Sequence, residues 1–207
     1  AAFDRATEHL GNQVYYRGLI EFSNICTLDC RYCGIRKSNH NVPRYELEKD
    51  QIVQAAVWAA ENGYGSICLQ AGERRDSKFV NFVIDVLETI HEKTVSETLP
   101  NGLGITLSLG EQTFEVYEAW AKAAGNPIGL RYLLRFETSN PDLFDHLHCA
   151  PGKHEKGLER RYAALANLRK AGYQVGSGVM IRLPGKTLED LCKDIKKKKK
   201  LDLDMIG

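Results

Sequence analysis

The sequence predicts an α/β fold built as part of a parallel (β/α) barrel. Two observations carry this reading. Short β-branched or apolar runs alternate with amphipathic helical stretches along the chain, and the runs carry reactive-looking polar residues just past their C-terminal ends. Alternation of this kind implies parallel strands joined by right-handed helical crossovers, which leaves an open doubly wound sheet or a barrel of the TIM type. An open sheet gathers its ligand at one switch point, whereas a barrel spreads function over every strand end. The polar residues therefore favour the barrel.

The elements follow in order. A first strand, Gly18 to Ser23, runs directly into a loop holding Cys26, Cys30 and Cys33. Ile52, Val53, Ala56, Val57 and Ala60 then recur at helical spacing, and Asn62-Gly63 is a natural stop. The second strand, Ser66 to Gln70, ends on Gln70-Ala71-Gly72-Glu73. Phe79, Val83, Val86, Leu87 and Ile90 form the next helical stripe, followed by an irregular stretch from His91 to Leu103. In the third strand, Gly104 to Leu109, Thr106 and Ser108 share one face while Ile105, Leu107 and Leu109 take the other. The small polar pair should thus point into the barrel.

Phe114, Tyr117, Trp120, Ala121 and Ala124 make a third helix closed by Gly125, and Asn126 to Gly129 is irregular. Both irregular stretches lie on the helix-to-strand side, away from the end where a barrel keeps its site. The fourth strand, Leu130 to Phe136, delivers Arg135, Glu137 and Thr138, with Arg135 and Glu137 on one face. Leu158, Tyr162, Leu165 and Leu168 mark a fourth helix that stops at Gly172. The fifth strand, Tyr173 to Ile181, ends over Met180-Ile181-Arg182-Leu183-Pro184-Gly185. Thr187 is the expected N-cap of a fifth helix, and Leu201 to Ile206 reads as a sixth strand. A closed barrel of eight strands needs more chain, so residues 1–207 read as one partial barrel domain that stops before its C-terminal strands. The run Lys196 to Lys200 sweeps more than a helical turn, so at least one lysine must face the sheet. Either its stem snorkels or the run is an anomaly of the sequence.

Composition narrows the function. With 43% apolar residues, 27% charged and a formal charge of +1, the chain can bury a core and offers no general surface for nucleic acid; a small ligand is expected. No apolar run approaches the ~20 residues of a membrane span, and Ala1 to Leu10 lacks a basic start followed by an apolar stretch, so a soluble protein is expected. The opening at Ala1 without Met leaves a removed targeting segment open. Of the six cysteines, three lie close together, while Cys68, Cys149 and Cys192 are scattered. That is no secreted disulfide framework. It points to a metal site in a reducing compartment, a bacterial cytoplasm or an organelle stroma or matrix. Cys68 and Cys192 read as buried small apolar residues. Cys149, beside His146 and His148, reads as part of a polar loop rather than a second metal site.

Cys26, Cys30 and Cys33 are separated by three and two residues. Three thiolates can hold three irons of a 4Fe-4S cubane and leave the fourth iron without a protein ligand, where ferredoxin arrangements supply a fourth cysteine. An open iron is a binding position, and the amino and carboxylate groups of S-adenosylmethionine can chelate it. Zinc is the alternative, and it needs a fourth ligand such as His40.

The string Cys26-x3-Cys30-x-Tyr32-Cys33 resembles the signature of the radical S-adenosylmethionine (radical SAM) superfamily. The resemblance implies that Tyr32 contributes to an adenine site and that reductive cleavage of the cofactor yields a 5'-deoxyadenosyl radical. Gly18-Leu-Ile-Glu-Phe-Ser-Asn-Ile-Cys26 and Cys33-Gly-Ile-Arg-Lys-Ser-Asn39 are similar to the HydE-type FeFe-hydrogenase maturase family. So are Leu69-Gln-Ala-Gly-Glu73, Thr106-Leu-Ser-Leu-Gly-Glu111, Arg131-Tyr-Leu-Leu-Arg-Phe-Glu-Thr138 and Leu183-Pro-Gly185, in the family's order, from about Tyr15 to Gly207.

That likeness implies Cys26, Cys30 and Cys33 as cluster ligands at the catalytic centre. It implies Tyr32, Gln70, Gly72, Glu73, Ser108, Arg135, Glu137, Arg161 and Met180 as cofactor contacts. Gly72 would let backbone approach a ligand near the amino group. Arg135 and Glu137 would reach the ribose and methionyl parts, or else form a rim ion pair. Arg161 would hold the cofactor carboxylate, or else be a solvated helix residue. The implied substrate is a small sulfur- or iron-containing precursor, with other hydrogenase maturases and a low-potential electron donor as partners. Biotin synthase and methylornithine synthase are neighbouring alternatives within the class; a non-catalytic iron–sulfur or zinc scaffold is the alternative outside it. One departure stands out. The family's Gly-Leu-Pro-Gly-Gln is Arg182-Leu183-Pro184-Gly185-Lys186 here, so either the pocket differs or two cations turn outward.

Overall fold

Six parallel strands stand side by side in the order in which the chain makes them: β1 (Gly18–Ser23), β2 (Ser66–Ala71), β3 (Gly104–Ser108), β4 (Arg131–Leu133), β5 (Gln174–Ser177) and β6 (Met205–Ile206). The structure is a computed structural model and describes residues 2–148 and 157–207. No strand is skipped, so the order contains no switch point, and the sheet is a partial barrel in which β1 and β6 are not paired with each other.

Helices α1 (Ala2–Leu10), α2 (Lys49–Glu61), α3 (Ser77–Thr94), α4 (Phe114–Ala124), α5 (Pro141–His148), α6 (Gly157–Lys170) and α7 (Leu188–Lys200) complete the described chain. Burial alternates along β2, β4 and most of β1, while β3 and β5 are buried on both faces. Ile20, Phe22, Ile67, Leu69, Ile105, Leu107, Tyr132 and Val175 point outward into one core shared with α2, α3, α4 and α6. Leu19, Glu21, Cys68, Gln70, Thr106, Ser108 and Arg131 occupy the opposite, lumen face, as the period of two requires. Three tyrosines lock sheet to helix: Tyr117, Tyr132 and Tyr173 meet edge to face at centroid distances of 5.2, 6.4 and 5.4 Å. Their burial is compatible with their polarity because each hydroxyl is satisfied. Tyr132 donates to the Gly110 carbonyl (2.8 Å), Tyr173 donates to that of Tyr117 (2.9 Å), and the Tyr117 oxygen accepts from Gln112 N (3.0 Å).

The expected stops are present, with Gly63, Gly125 and Gly172 at φ of +79°, +65° and +90°. Asp76 caps α3 by accepting from Phe79 N (3.0 Å), and Thr187 with Asp190 forms a reciprocal capping box on α7. Several bounds differ from expectation. α3 continues to Thr94, whose Oγ1 donates to the Ile90 carbonyl and accepts from Leu103 N, so the irregular stretch begins after it. β4 and β5 are shorter than their apolar runs; beyond them the two segments meet again at the isolated Glu137–Val179 bridge, with Glu137 at a left-handed φ of +60°. Leu201 caps α7 and Asp202 is left-handed at +49°, leaving two residues for β6. Helices α1 and α5 were not foreseen. Cys68 faces the lumen half-buried, and Cys192 is exposed on α7 rather than buried. In the lysine run, Lys197 snorkels, its ammonium 3.8 Å from the Tyr162 ring centroid. Cys149 lies outside the described residues.

Candidate functional site

The loop after β1 is held by its own backbone rather than by a core. Arg44 donates to four carbonyls at once, those of Asn24 (2.7 Å), Ile35 (2.9 Å), Arg36 (2.7 Å) and Asn39 (2.9 Å). The Asn24 side chain bonds Pro43 O and Tyr45 N, and Cys33 N turns back onto Cys30 O (3.0 Å). A loop without regular structure thus satisfies its polar groups, as a conformation that presents three thiols must. Sequence reading missed Arg44, whose signal was a lone cation in a polar stretch.

The end of β2 grips the same loop. Thr27 donates through N (3.0 Å) and Oγ1 (2.9 Å) to the Glu73 carbonyl, and Gly72 N reaches Ser23 O (3.2 Å). Gly72 has to be glycine: a Cβ there would lie 2.3 Å from Ile25 O and 2.7 Å from Cys26 Cβ. Beside it, Glu73 and Glu111 organise three arginines. Glu73 pairs with Arg75 (2.5 Å) and accepts from Glu111 N (2.9 Å); Glu111 pairs with Arg161 (2.5 Å), Arg160 (2.9 Å) and Arg75 (3.4 Å). Burial works to raise the Glu111 carboxyl, yet the guanidinium of Arg161, with those of Arg160 and Arg75, brings it below the ordinary carboxylate range. Arg161 is buried and also donates to the Arg135 carbonyl, so it is no solvated helix residue. Glu111 was passed over as a site residue although it closes the flagged segment after β3.

Burial, together with the neighbouring Cys26 and Cys33, pushes the Cys30 thiol up to about 12; burial also raises Cys26, with Glu73 and Cys33 adding to it. Cys26 and Cys30 so placed resist ionising unless positive charge joins them, and an iron–sulfur cluster would supply it. The donor set therefore fits a 4Fe-4S cluster. The zinc alternative needs a fourth ligand from the protein, and His40, the residue offered for it, is exposed.

Around the thiols, Tyr32 donates to His148 Nε2 (3.1 Å) and lies within electrostatic reach of Cys30, Glu137, Arg161 and Cys33. Arg135 and Glu137 form an ion pair at 3.4 Å, and the buried Glu137 Oε2 has no hydrogen-bond partner among the described residues. Burial raises the Glu137 carboxyl. Met180 N donates to the Glu137 carbonyl (3.1 Å). Gln70 and Ser108 are register neighbours on the lumen face, where Gln70 donates to Glu21 (2.9 Å).

The profile of the radical SAM superfamily matches residues 20–197. The chain belongs to that superfamily. It is 39% identical over 200 residues to the [FeFe] hydrogenase maturase subunit HydE of Thermotoga maritima, an alignment covering 97% of this chain and 52% of the relative, so the chain spans about half that relative's length. The FeFe-hydrogenase maturase HydG from Carboxydothermus hydrogenoformans superposes with a TM-score of 0.75 at 25% identity, covering 95% of this chain and 44% of that one. Methylornithine synthase superposes at 0.79 with 21% identity, covering 97% and 54%; that likeness is one of fold.

Within this radical SAM chain the two unexpected cations part ways. Arg182 is exposed, at a φ of +62°. Lys186 turns inward beneath the strand ends, where its ammonium pairs with the fully buried Asp194 (2.5 Å) and donates to the Glu137 (2.9 Å) and Met180 (2.7 Å) carbonyls. It braces the site from below rather than entering it.

Proposed function

We propose that the chain carries out radical SAM chemistry, with Cys26, Cys30 and Cys33 holding a 4Fe-4S cluster whose fourth iron takes S-adenosylmethionine. The single observation that carries this is the thiol triplet on a polar-satisfied loop at the first strand end of a parallel partial barrel. When bound, cluster and cofactor supply one-electron cleavage of the sulfonium to a 5'-deoxyadenosyl radical. Tyr32 borders the adenine, Gly72 admits the amino group to the β2 backbone, and Arg161, Arg135 and Glu137 face the carboxylate and ribose. Glu73 and Glu111 hold the arginines, while Gln70, Ser108 and Met180 line the path from cofactor to lumen. The acceptor in the lumen is a small molecule.

The identity to HydE favours a role in assembling the FeFe-hydrogenase active site, acting on a small sulfur- or iron-containing precursor beside other maturases. A low-potential donor supplies the electron, and a reducing compartment keeps the thiols free. Among the described residues no helix is long and apolar enough to cross a membrane.

Anaerobic reconstitution tests the reading. We expect iron and sulfide to be bound, an electron paramagnetic resonance spectrum that changes on adding S-adenosylmethionine, release of 5'-deoxyadenosine on reduction, and loss of all of these in Cys30→Ala. Tight zinc binding, or a cluster spectrum indifferent to S-adenosylmethionine, would overturn it in favour of a scaffold.

A further inference from the structure

His148, the last residue of α5, has no part in the chemistry above, yet it is one of the most constrained side chains at the site. Its Nδ1 lies 2.9 Å from the Phe144 carbonyl, an oxygen that can only accept. Nδ1 therefore carries the proton, and Nε2 is left as an acceptor. The group that fills it is the Tyr32 hydroxyl at 3.1 Å, which must donate. The imidazole is buried, stacked on Phe144 at a centroid distance of 3.9 Å and 24°, and meets the Tyr32 ring edge-on at 5.5 Å and 81°. Phe144 is fixed in turn beneath the Arg161 guanidinium at 5.6 Å.

The backbone repeats the arrangement. Helix C-termini leave carbonyls without partners, and here the Leu147 carbonyl accepts from Arg31 N (2.8 Å), one residue before Tyr32. The end of α5 thus holds the segment between the second and third thiols at both main chain and side chain. Tyr32 is otherwise on the surface, 37% exposed, where an aromatic ring without a tether samples several rotamers.

We propose that His148 is a positioning residue of the S-adenosylmethionine site. It fixes the plane of the Tyr32 ring through the hydrogen bond to Nε2, so that the surface facing the adenine exists before the cofactor arrives. The inference rests on the proposed function, in which Tyr32 borders the adenine. It acts through preorganisation: a ring already ordered does not have to be ordered on binding, and its release weakens affinity roughly three- to tenfold.

The test is a cofactor titration of the reconstituted protein, followed by calorimetry and by the cluster's paramagnetic spectrum, with iron content measured in parallel. His148→Phe keeps the stack on Phe144 and removes the acceptor; Tyr32→Phe removes the donor. Each is expected to weaken S-adenosylmethionine binding about three- to tenfold with iron content and the cofactor-free spectrum unchanged, and the double variant to be no weaker than either single. His148→Gln, which keeps an acceptor near the phenol, should recover part of the affinity. Wild-type affinity in His148→Phe, independent addition of the two effects, or iron loss in step with affinity would each overturn the role. A parent protein that builds the cluster and takes no S-adenosylmethionine would instead refute the underlying functional reading.

Discussion

The carboxylate of Glu111, at the end of β3, lies 2.5 Å from the guanidinium of Arg161 on α6, and both side chains are buried. Breaking a buried pair from one side strands the other charge, which costs about 3–5 kcal/mol, whereas exposed pairs contribute ~1 kcal/mol or less. Glu111→Gln should therefore lower unfolding stability by about 3 kcal/mol in urea titrations. Arg75→Ala and Arg160→Ala, whose side chains are 47% and 45% exposed, should each change it by no more than ~1 kcal/mol. Equal effects from all three would show that the network has no buried centre.

Gly72→Ala sets a methyl group against backbone on the thiol loop, with Ile25 O at 2.3 Å, and the loop has to move. The variant should fold with about 1–3 kcal/mol of strain and bind less iron per chain after reconstitution. Gly34, one residue past Cys33, has nothing within 4 Å of its Cβ direction, so Gly34→Ala should bind iron as the parent does. Iron analysis of the pair separates crowding at the cysteines from a general loss of loop flexibility.

Lys186 and Asp194 are 2% and 0% exposed. Lys186→Met leaves a buried carboxylate unpaired, and a loss of about 3–5 kcal/mol corresponds to a fall in Tm of roughly 10 °C for a chain of this size. Adding Asp194→Asn removes the stranded charge while still accepting from Ser139 N, a bond of 2.6 Å in the parent, and should restore most of the loss. Thermal scans in which the double variant is less stable than the single would contradict this.

Asp190 accepts from Thr187 N, Thr187 Oγ1 and Asn140 Nδ2, and these hydrogen bonds hold its carboxyl below the ordinary value. A folded-state pKa below the unfolded one means stability that is complete above the unfolded value of about 3.9 and is lost as pH falls through the folded one. The Tm of the parent should thus drop more steeply than that of Asp190→Asn below about pH 4, and the two curves should converge in acid. Parallel curves would show that the cap is indifferent to its charge.

Periodicity made the strands, the helices around them and the order of polar strand ends legible, because a core selects one face of each element and writes it into the sequence. The cysteine triplet was legible for a related reason: spacing within one loop is local. Pairings between a loop and a helix were not. Glu111 with Arg161 and Lys186 with Asp194 are meetings of residues 50 and 8 positions apart that only the assembled barrel brings together. Helix α5 escaped notice because eight residues give an apolar stripe too short to stand out, and with it went the partner of Tyr32. Strand lengths were overestimated because an apolar run records burial and not ladder pairing: Leu134 and Phe136 are buried without belonging to β4.

Glu137 sets a trade between stability and chemistry. At +60° a side chain other than glycine gives up roughly 1–2 kcal/mol, a sum that glycine would return. The chain forgoes that gain and keeps an acid whose buried Oε2 has no hydrogen-bond partner among the described residues. On the proposed function, the sacrifice sets a carboxylate beside the cofactor, where glycine could offer none.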